Sequence, residues 1–155
     1  MPHLPFIPRA SLALSLLLRA YRTPVCLGTN AIVELATGNV VLVRHRYMPG
    51  LCFPGGGVLS GEVPADAVIR ELEEEVGLVR FDPPELFSLY TRKVGWTTNL
   101  IALYRVKNVV IDFKPNIEIA EIVETDPREP PLDTTPATRR RLAEFTGMAL
   151  IGAMW

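Results

Sequence analysis

Between Gly55 and Leu78 the chain reads GGGVLSGEVPADAVIRELEEEVGL, and Glu71, Glu73, Glu74 and Glu75 place four carboxylates within five residues. Pro64 suits a first helical turn, where its missing N–H costs nothing, and Gly77 suits the left-handed position that closes a helix. At about 100° per residue, a helix between them puts Glu71, Glu74 and Glu75 on one face. Val68, Ile69, Leu72 and Val76 then form an adjoining apolar face, and Glu73 points away with Asp66. Like charges one turn apart cost a few tenths of a kcal/mol each. With only Arg70 beside them, the three converging carboxylates call for a cation, and hard divalent ions such as Mg²⁺ take oxygen ligands of this kind. Upstream, Gly55, Gly56, Gly57 and Gly61 allow a tight loop whose backbone can approach a ligand closely.

A chain of 155 residues is expected to form one domain, 1–155, with a substantial core. Its formal net charge of −1 gives no broad basic surface for duplex nucleic acid. Cys26 and Cys52 lack the spacing of a redox or zinc motif, and are expected to be two buried free thiols in a reducing cytoplasm. Residues 10–18, ASLALSLLL, are apolar but too short to span a bilayer, and no A-x-A cleavage site follows. Residues 1–22 therefore read as an N-terminal helical extension, with a helix near 10–20 packing Leu12 and Leu16 on the domain or on a second subunit.

β-Branched residues dominate 25–35 and 39–45, with Thr37-Gly38-Asn39 as the turn of a hairpin. Leu51-Cys52-Phe53 reads as a short strand, 86–94 and 98–106 as two more around Gly95-Trp96, and 117–123 as the last. Thr134-Thr135 caps a helix over 136–147. On that helix Arg139, Arg140 and Arg141 are expected on a solvated face, and the closing MALIGAMW is expected to pack on the domain. Helix, strands, helix, strands, helix gives an α+β fold with a mixed sheet between helices.

The glycine- and glutamate-rich stretch resembles the box of the Nudix hydrolase family, G-x5-E-x7-R-E-U-x-E-E-x-G-U, where U is bulky and aliphatic. Gly56, Glu62, Arg70, Glu71, Leu72, Glu74, Glu75, Gly77 and Leu78 fill every fixed position. The resemblance is to small MutT-like members and implies the Nudix fold, with residues 55–78 as a loop–helix–loop. It implies hydrolysis of a nucleoside diphosphate linked to another moiety X, releasing a nucleoside phosphate and phosphorylated X, with Mg²⁺ as cofactor and Mn²⁺ able to replace it. Glu71 and Glu75 are the leading metal ligands and Glu74 the third. Arg70 orients Glu71 or Glu62, and Glu62 either ligates or braces the loop. Glu71, Glu74, Arg70 and a carboxylate beyond the box make up the catalytic set; that carboxylate is Glu118 in preference to Glu121. Gly56 and Gly57 give the backbone room beside the metal.

Arg44, Arg46 and Tyr47 near the end of the second strand, together with Trp96, are candidate substrate contacts. His45 either meets phosphate or lies at a solvated strand end. Leu59 and Ser60 replace the polar pair common in such boxes, and Val63 stands where Ser or Thr often caps the helix. Neither departure touches a fixed position. X stays open among nucleoside triphosphates, nucleotide sugars, ADP-ribose, dinucleoside polyphosphates and capped RNA ends. The apolar terminal segments suggest a homodimer. The competing functions are a non-catalytic nucleotide-sensing or interaction module on the same fold and a protein held at a membrane by residues 10–18.

Overall fold

Strand β1 (Val25–Glu34) turns back through Leu35–Asn39 into β2 (Val40–His45), as the turn residues predict, but the two pair only at Val33–Val41 and Glu34–Val40. In this computed structural model, which describes residues 9–155, β1 then leaves its partner. It runs parallel to β6 (Thr97–Val106) from Val25–Thr98 to Val33–Val106, and β6 pairs antiparallel with β5 (Glu85–Val94). The edge of β2 that β1 vacates is taken by β3 (Leu51–Cys52), and its other edge by β8 (Ile119–Thr125). A separate ladder joins β4 (Leu78–Arg80) to β7 (Val110–Ile111).

Alternation along the strands sends successive residues to opposite faces. Ala31, Val33, Val41 and Val43 pack with Val68, Leu72 and Val76 of helix α2 (Pro64–Val76). Ile32, Val40 and Leu42 face the other way, onto Phe53, Tyr90, Leu103 and Leu142, the last on helix α3 (Pro136–Phe145). The mixed sheet thus lies between two helices, the α+β arrangement expected.

Helix α2 begins and ends where the sequence predicts. Gly77 adopts φ 68° and ψ 46°, and its N–H donates to the Leu72 carbonyl. Val63 precedes the helix without any side-chain cap. Val63→Ser, which supplies the missing acceptor, is expected to stabilise the fold by about 1 kcal/mol, read as a higher urea midpoint at unchanged slope. At α3, the Thr135 side chain does accept from the Thr138 N–H.

Several expectations are corrected. Helix α1 (Arg9–Arg22) forms, but Leu12 and Leu16 are 57% and 55% exposed on this chain rather than packed on the domain. The last strand starts two residues late because Asn116 Oδ1 accepts from the Glu118 and Ile119 amides and holds 116–119 as a turn. Strands β4 and β7, with two or three residues each, were too short to leave a periodic signal. Arg141 is buried rather than solvated, and Arg139 donates to the Pro130 and Pro131 carbonyls, so of the three arginines only Arg140 lies on an exposed face. Both cysteines are free, but Cys26 is exposed. Among the described residues no helix is long and apolar enough to cross a membrane.

Candidate active site

The divergence of β1 from β2 creates the site. Backbone groups of β1 left without a strand partner are taken up by the glycine loop. The Thr29 N–H donates to the Gly56 carbonyl at 2.8 Å, the Ala31 N–H to the Pro54 carbonyl at 2.9 Å, and the Val58 N–H to the Leu27 carbonyl at 3.0 Å. The loop is therefore laid along β1 and pressed onto the start of the carboxylate face. A Cβ on Gly56 would come within 2.5 Å of the Glu71 carboxyl carbon, so a larger residue there would push that carboxylate from its place.

Arg70 ties loop to helix. Its guanidinium donates to both oxygens of Glu62 at 2.9 and 3.0 Å, to Glu71 at 2.7 Å and to the Gly57 carbonyl at 3.0 Å. Glu62 in turn accepts from the Leu59 N–H at 2.8 Å. These bonds, the Arg70 fork first, pull the Glu62 carboxyl down to about 2. Glu62 is thus a brace for the loop, and Arg70 fixes the orientation of Glu71.

The three carboxylates of the helix face have different surroundings. Glu75 is buried at 4% exposure, and its Oε2 accepts from the Gly55 N–H at 2.7 Å. Glu71 is largely covered, and Glu74 is exposed at the rim. Burial raises the Glu75 pKa to about 7 against the opposing Gly55 hydrogen bond, and the charges of Glu71, Glu118 and Glu74 push the same way. Among the described residues its nearest potential cation is His45 Nε2, 3.9 Å away, but burial lowers the His45 pKa and so disfavours its charged form. His45 is therefore not a solvated strand end: it is 7% exposed, with Tyr47 beside its ring at 5.1 Å and Nδ1 without a hydrogen-bond partner.

Glu118 lies across a cleft from the box, sharing its walls with Glu74, Glu75, Asn116 and Ile117. Asn116 fixes that loop to the helix by donating to the Glu74 carbonyl at 3.2 Å. Glu121 is turned elsewhere and pairs with Arg44 at 2.6 Å. Among the described residues no three His, Cys, Asp or Glu side chains converge at ligand spacing. The donor chemistry nevertheless suits a hard divalent cation: the acidic groups present only oxygens, and the most deeply buried one lacks a compensating positive charge.

The other candidate contacts are dispersed. Arg44 is held by Glu121 and by Asp133 at 2.7 Å, and Arg46 donates to the Asn116 carbonyl at 2.7 Å, which braces the Glu118 loop. Trp96 is 90% exposed at the β5–β6 turn and is absent from the cavity described next. Gly57 has open space where a Cβ would lie. Tyr47 lines a cavity of about 600 Å³ that reaches the loop at Gly55 and is also bounded by Asn30, Phe53, Arg92, Arg140 and Trp155. Sequence reasoning assigned no site role to these last five, because they come from five separated segments with no local pattern.

The sequence matches the NUDIX domain family over residues 26–147. The chain belongs to the NUDIX family. Its box is the loop and helix just described, Gly56 to Leu78. Over 40 residues it is 50% identical to the 8-oxo-dGTP diphosphatase of Escherichia coli (strain K12), covering 26% of this chain and 28% of that protein. Over 59 residues it is 39% identical to the RNA pyrophosphohydrolase of Hahella chejuensis (strain KCTC 2396), covering 38% of this chain and 34% of that protein. The matched stretches thus span about a third or less of these relatives' own lengths. Among solved structures, the MutT NUDIX hydrolase from Burkholderia pseudomallei superposes with a TM-score of 0.66 at 21% identity, covering 76% of this chain and 95% of that one. A UDP-X diphosphatase superposes with a TM-score of 0.66 at 18% identity, covering 93% and 74%. At these identities the likeness is one of fold.

Proposed function

We propose that this Nudix protein is a metal-dependent pyrophosphohydrolase that cleaves the diphosphate linkage of a nucleoside diphosphate joined to a further moiety. The observation that carries the reading is the buried Glu75 carboxylate, which shares its surroundings with Glu71, Glu74 and Glu118 and, among the described residues, has no charged cation of its own, Arg70 being engaged by Glu62 and Glu71. An arrangement that is unfavourable for the protein alone has a physical reason if a divalent ion completes it. Relatives named as a diphosphatase and as pyrophosphohydrolases, matched over short stretches, support the same reaction class.

In this mechanism Glu71, Glu74, Glu75 and Glu118 would hold Mg²⁺, or Mn²⁺ in its place, which would supply charge neutralisation at the pyrophosphate and a more acidic water. The chain supplies the rest. Arg70 keeps the Glu71 carboxylate facing the site, and Glu62 keeps Arg70 there. Gly55 holds Glu75 through its N–H, and Gly56 leaves room for Glu71 beside the loop. Asn116 and Arg46 set the Glu118 loop against the box helix. The nucleoside enters the cavity beside Tyr47, whose volume falls in the range that holds small ligands. Arg44 and Trp96 are not needed in this reading.

Glu118→Gln is expected to depress turnover by on the order of 10²-fold, the loss typical of one charge-stabilising group, while Glu121→Gln, outside the cleft, leaves it near the parent rate. Steady-state assays on both variants decide the assignment, and equal rates would contradict it. The reading as a whole is tested by incubating the protein and Mg²⁺ with nucleoside triphosphates, UDP-sugars, ADP-ribose and 5′-triphosphorylated RNA. Release of a nucleoside monophosphate, pyrophosphate or a phosphorylated X is expected from at least one class. No product from any of them would count against it.

A further inference from the structure

Tyr90, Arg141 and Glu144 form a buried polar cluster that takes no part in the chemistry above. Arg141 Nη2 meets Glu144 Oε1 at 2.7 Å, and the Tyr90 hydroxyl donates to Glu144 Oε2 at 2.7 Å. Charged groups are seldom buried so fully unless a partner requires them there. Here the partner is the backbone of residues 148–155. Arg141 Nη1 donates to the Met154 carbonyl, and Glu144 Oε1 accepts from the Gly152 N–H at 2.9 Å. On the other side the same segment adds to the sheet beside β5: the Thr91 N–H donates to the Ala153 carbonyl at 2.9 Å, and the Trp155 N–H to the Thr91 carbonyl at 3.0 Å.

The segment lies on the domain as the sequence predicts, but its backbone rather than most of its apolar side chains holds it there. Leu150 is 94% exposed, and Ile151 and Met154 are 55% and 60% exposed. Trp155 alone turns inward. Its ring meets Tyr90 edge to face at 5.6 Å, and the Arg141 guanidinium lies 6.0 Å from its centroid. The ring stays only partly buried and lines the same cavity as Tyr47 and Gly55. A backbone-anchored strap therefore delivers one flat aromatic surface to the pocket that opens at the glycine loop. Such a surface, fixed before binding, loses little freedom when a planar ring stacks on it.

We propose that Trp155 is the stacking platform for the substrate's nucleobase, carried to the cavity by segment 148–155 and fixed there by the Arg141–Glu144 clamp. The proposal deepens the pyrophosphohydrolase reading and rests on it for the ligand being a nucleotide. Every base has a π-face, so a platform of this kind discriminates weakly among bases. It makes Trp155 a specificity-determining residue for the presence of a base rather than for its identity.

The chain has two tryptophans, Trp96 and Trp155, so Trp96→Phe leaves Trp155 as the sole indole reporter. In that variant AMP, GMP, CMP and UMP are each expected to quench the fluorescence saturably without turnover. Ribose 5-phosphate, which lacks a base, is expected to bind about tenfold more weakly, the scale of one base–aromatic stack. In the parent background, Trp155→Leu is expected to raise KM about tenfold with kcat within about twofold, and Trp155→Phe to recover most of the loss. A purely structural Trp155 would instead lower the melting temperature of both variants alike. Quenching by ribose 5-phosphate as strong as by the four monophosphates would overturn the proposal, as would no quenching at all. If Trp155→Leu does not fold, the titration of Trp96→Phe decides alone. Base-dependent quenching in a protein that hydrolyses nothing would sustain the platform and reject the enzymatic reading.

Discussion

Glu75→Gln is expected to reduce turnover by on the order of 10²–10³-fold, while Glu73→Gln leaves it within about twofold, the contrast between losing a charge-stabilising group and losing a solvated one. Both substitutions remove one negative charge from the same helix, so a general field effect would make them alike. Their surroundings differ sharply: Glu75 is buried, bonded to the Gly55 N–H and ringed by acidic groups, whereas Glu73 is exposed on the opposite face. Glutamine keeps an oxygen to accept from Gly55 and adds no volume, so the fold should survive. Initial rates at saturating substrate and Mg²⁺, with circular dichroism as a folding check, read the comparison. Similar losses in the two variants would contradict the division of the helix into two faces.

Arg141→Met is expected to destabilise the fold by about 3 kcal/mol, because removing one partner of a buried ion pair strands the other. Glu144 would keep the Tyr90 hydroxyl and the Gly152 N–H but lose the only close cation it has among the described residues. Arg140→Met, one residue away on the exposed side, is expected to cost less than about 1 kcal/mol. Urea denaturation of both variants measures the difference. Matching midpoints would show that the buried pair contributes nothing beyond what a hydrophobic side chain supplies.

The box helix was legible in detail because several independent local signals agree there: Pro64 at its start, Gly77 at its end, an apolar face and an acidic one. The strand segments were legible from β-branched composition, but their pairing was not. Nothing in residues 25–34 distinguishes a strand that stays with its hairpin neighbour from one that leaves it to run parallel to β6. That departure is what opens the gap filled by Pro54–Val58. The run Arg139-Arg140-Arg141 shows the same limit in one turn of helix. Three identical side chains have three environments, and only the tertiary contacts of Tyr90 and Met154 explain why the third is buried. For His45 the solvated alternative failed for a related reason, since a polar residue at a strand end carries no local sign that the pairing with β8 and the approach of Glu75 will cover it. Of the cavity only Tyr47 and His45 were legible, because Asn30, Phe53, Arg92, Arg140 and Trp155 meet only after the chain has folded.

The central claim is that the carboxylates of the box and Glu118 exist to hold a divalent ion for hydrolysis of a pyrophosphate linkage. The most direct measurement is the rate of phosphate-product release from the best nucleotide substrate as EDTA is titrated against a fixed concentration of Mg²⁺. The rate is expected to fall to background once the chelator exceeds the metal and to return when Mg²⁺ is restored in excess. Turnover undiminished in excess EDTA would contradict the account.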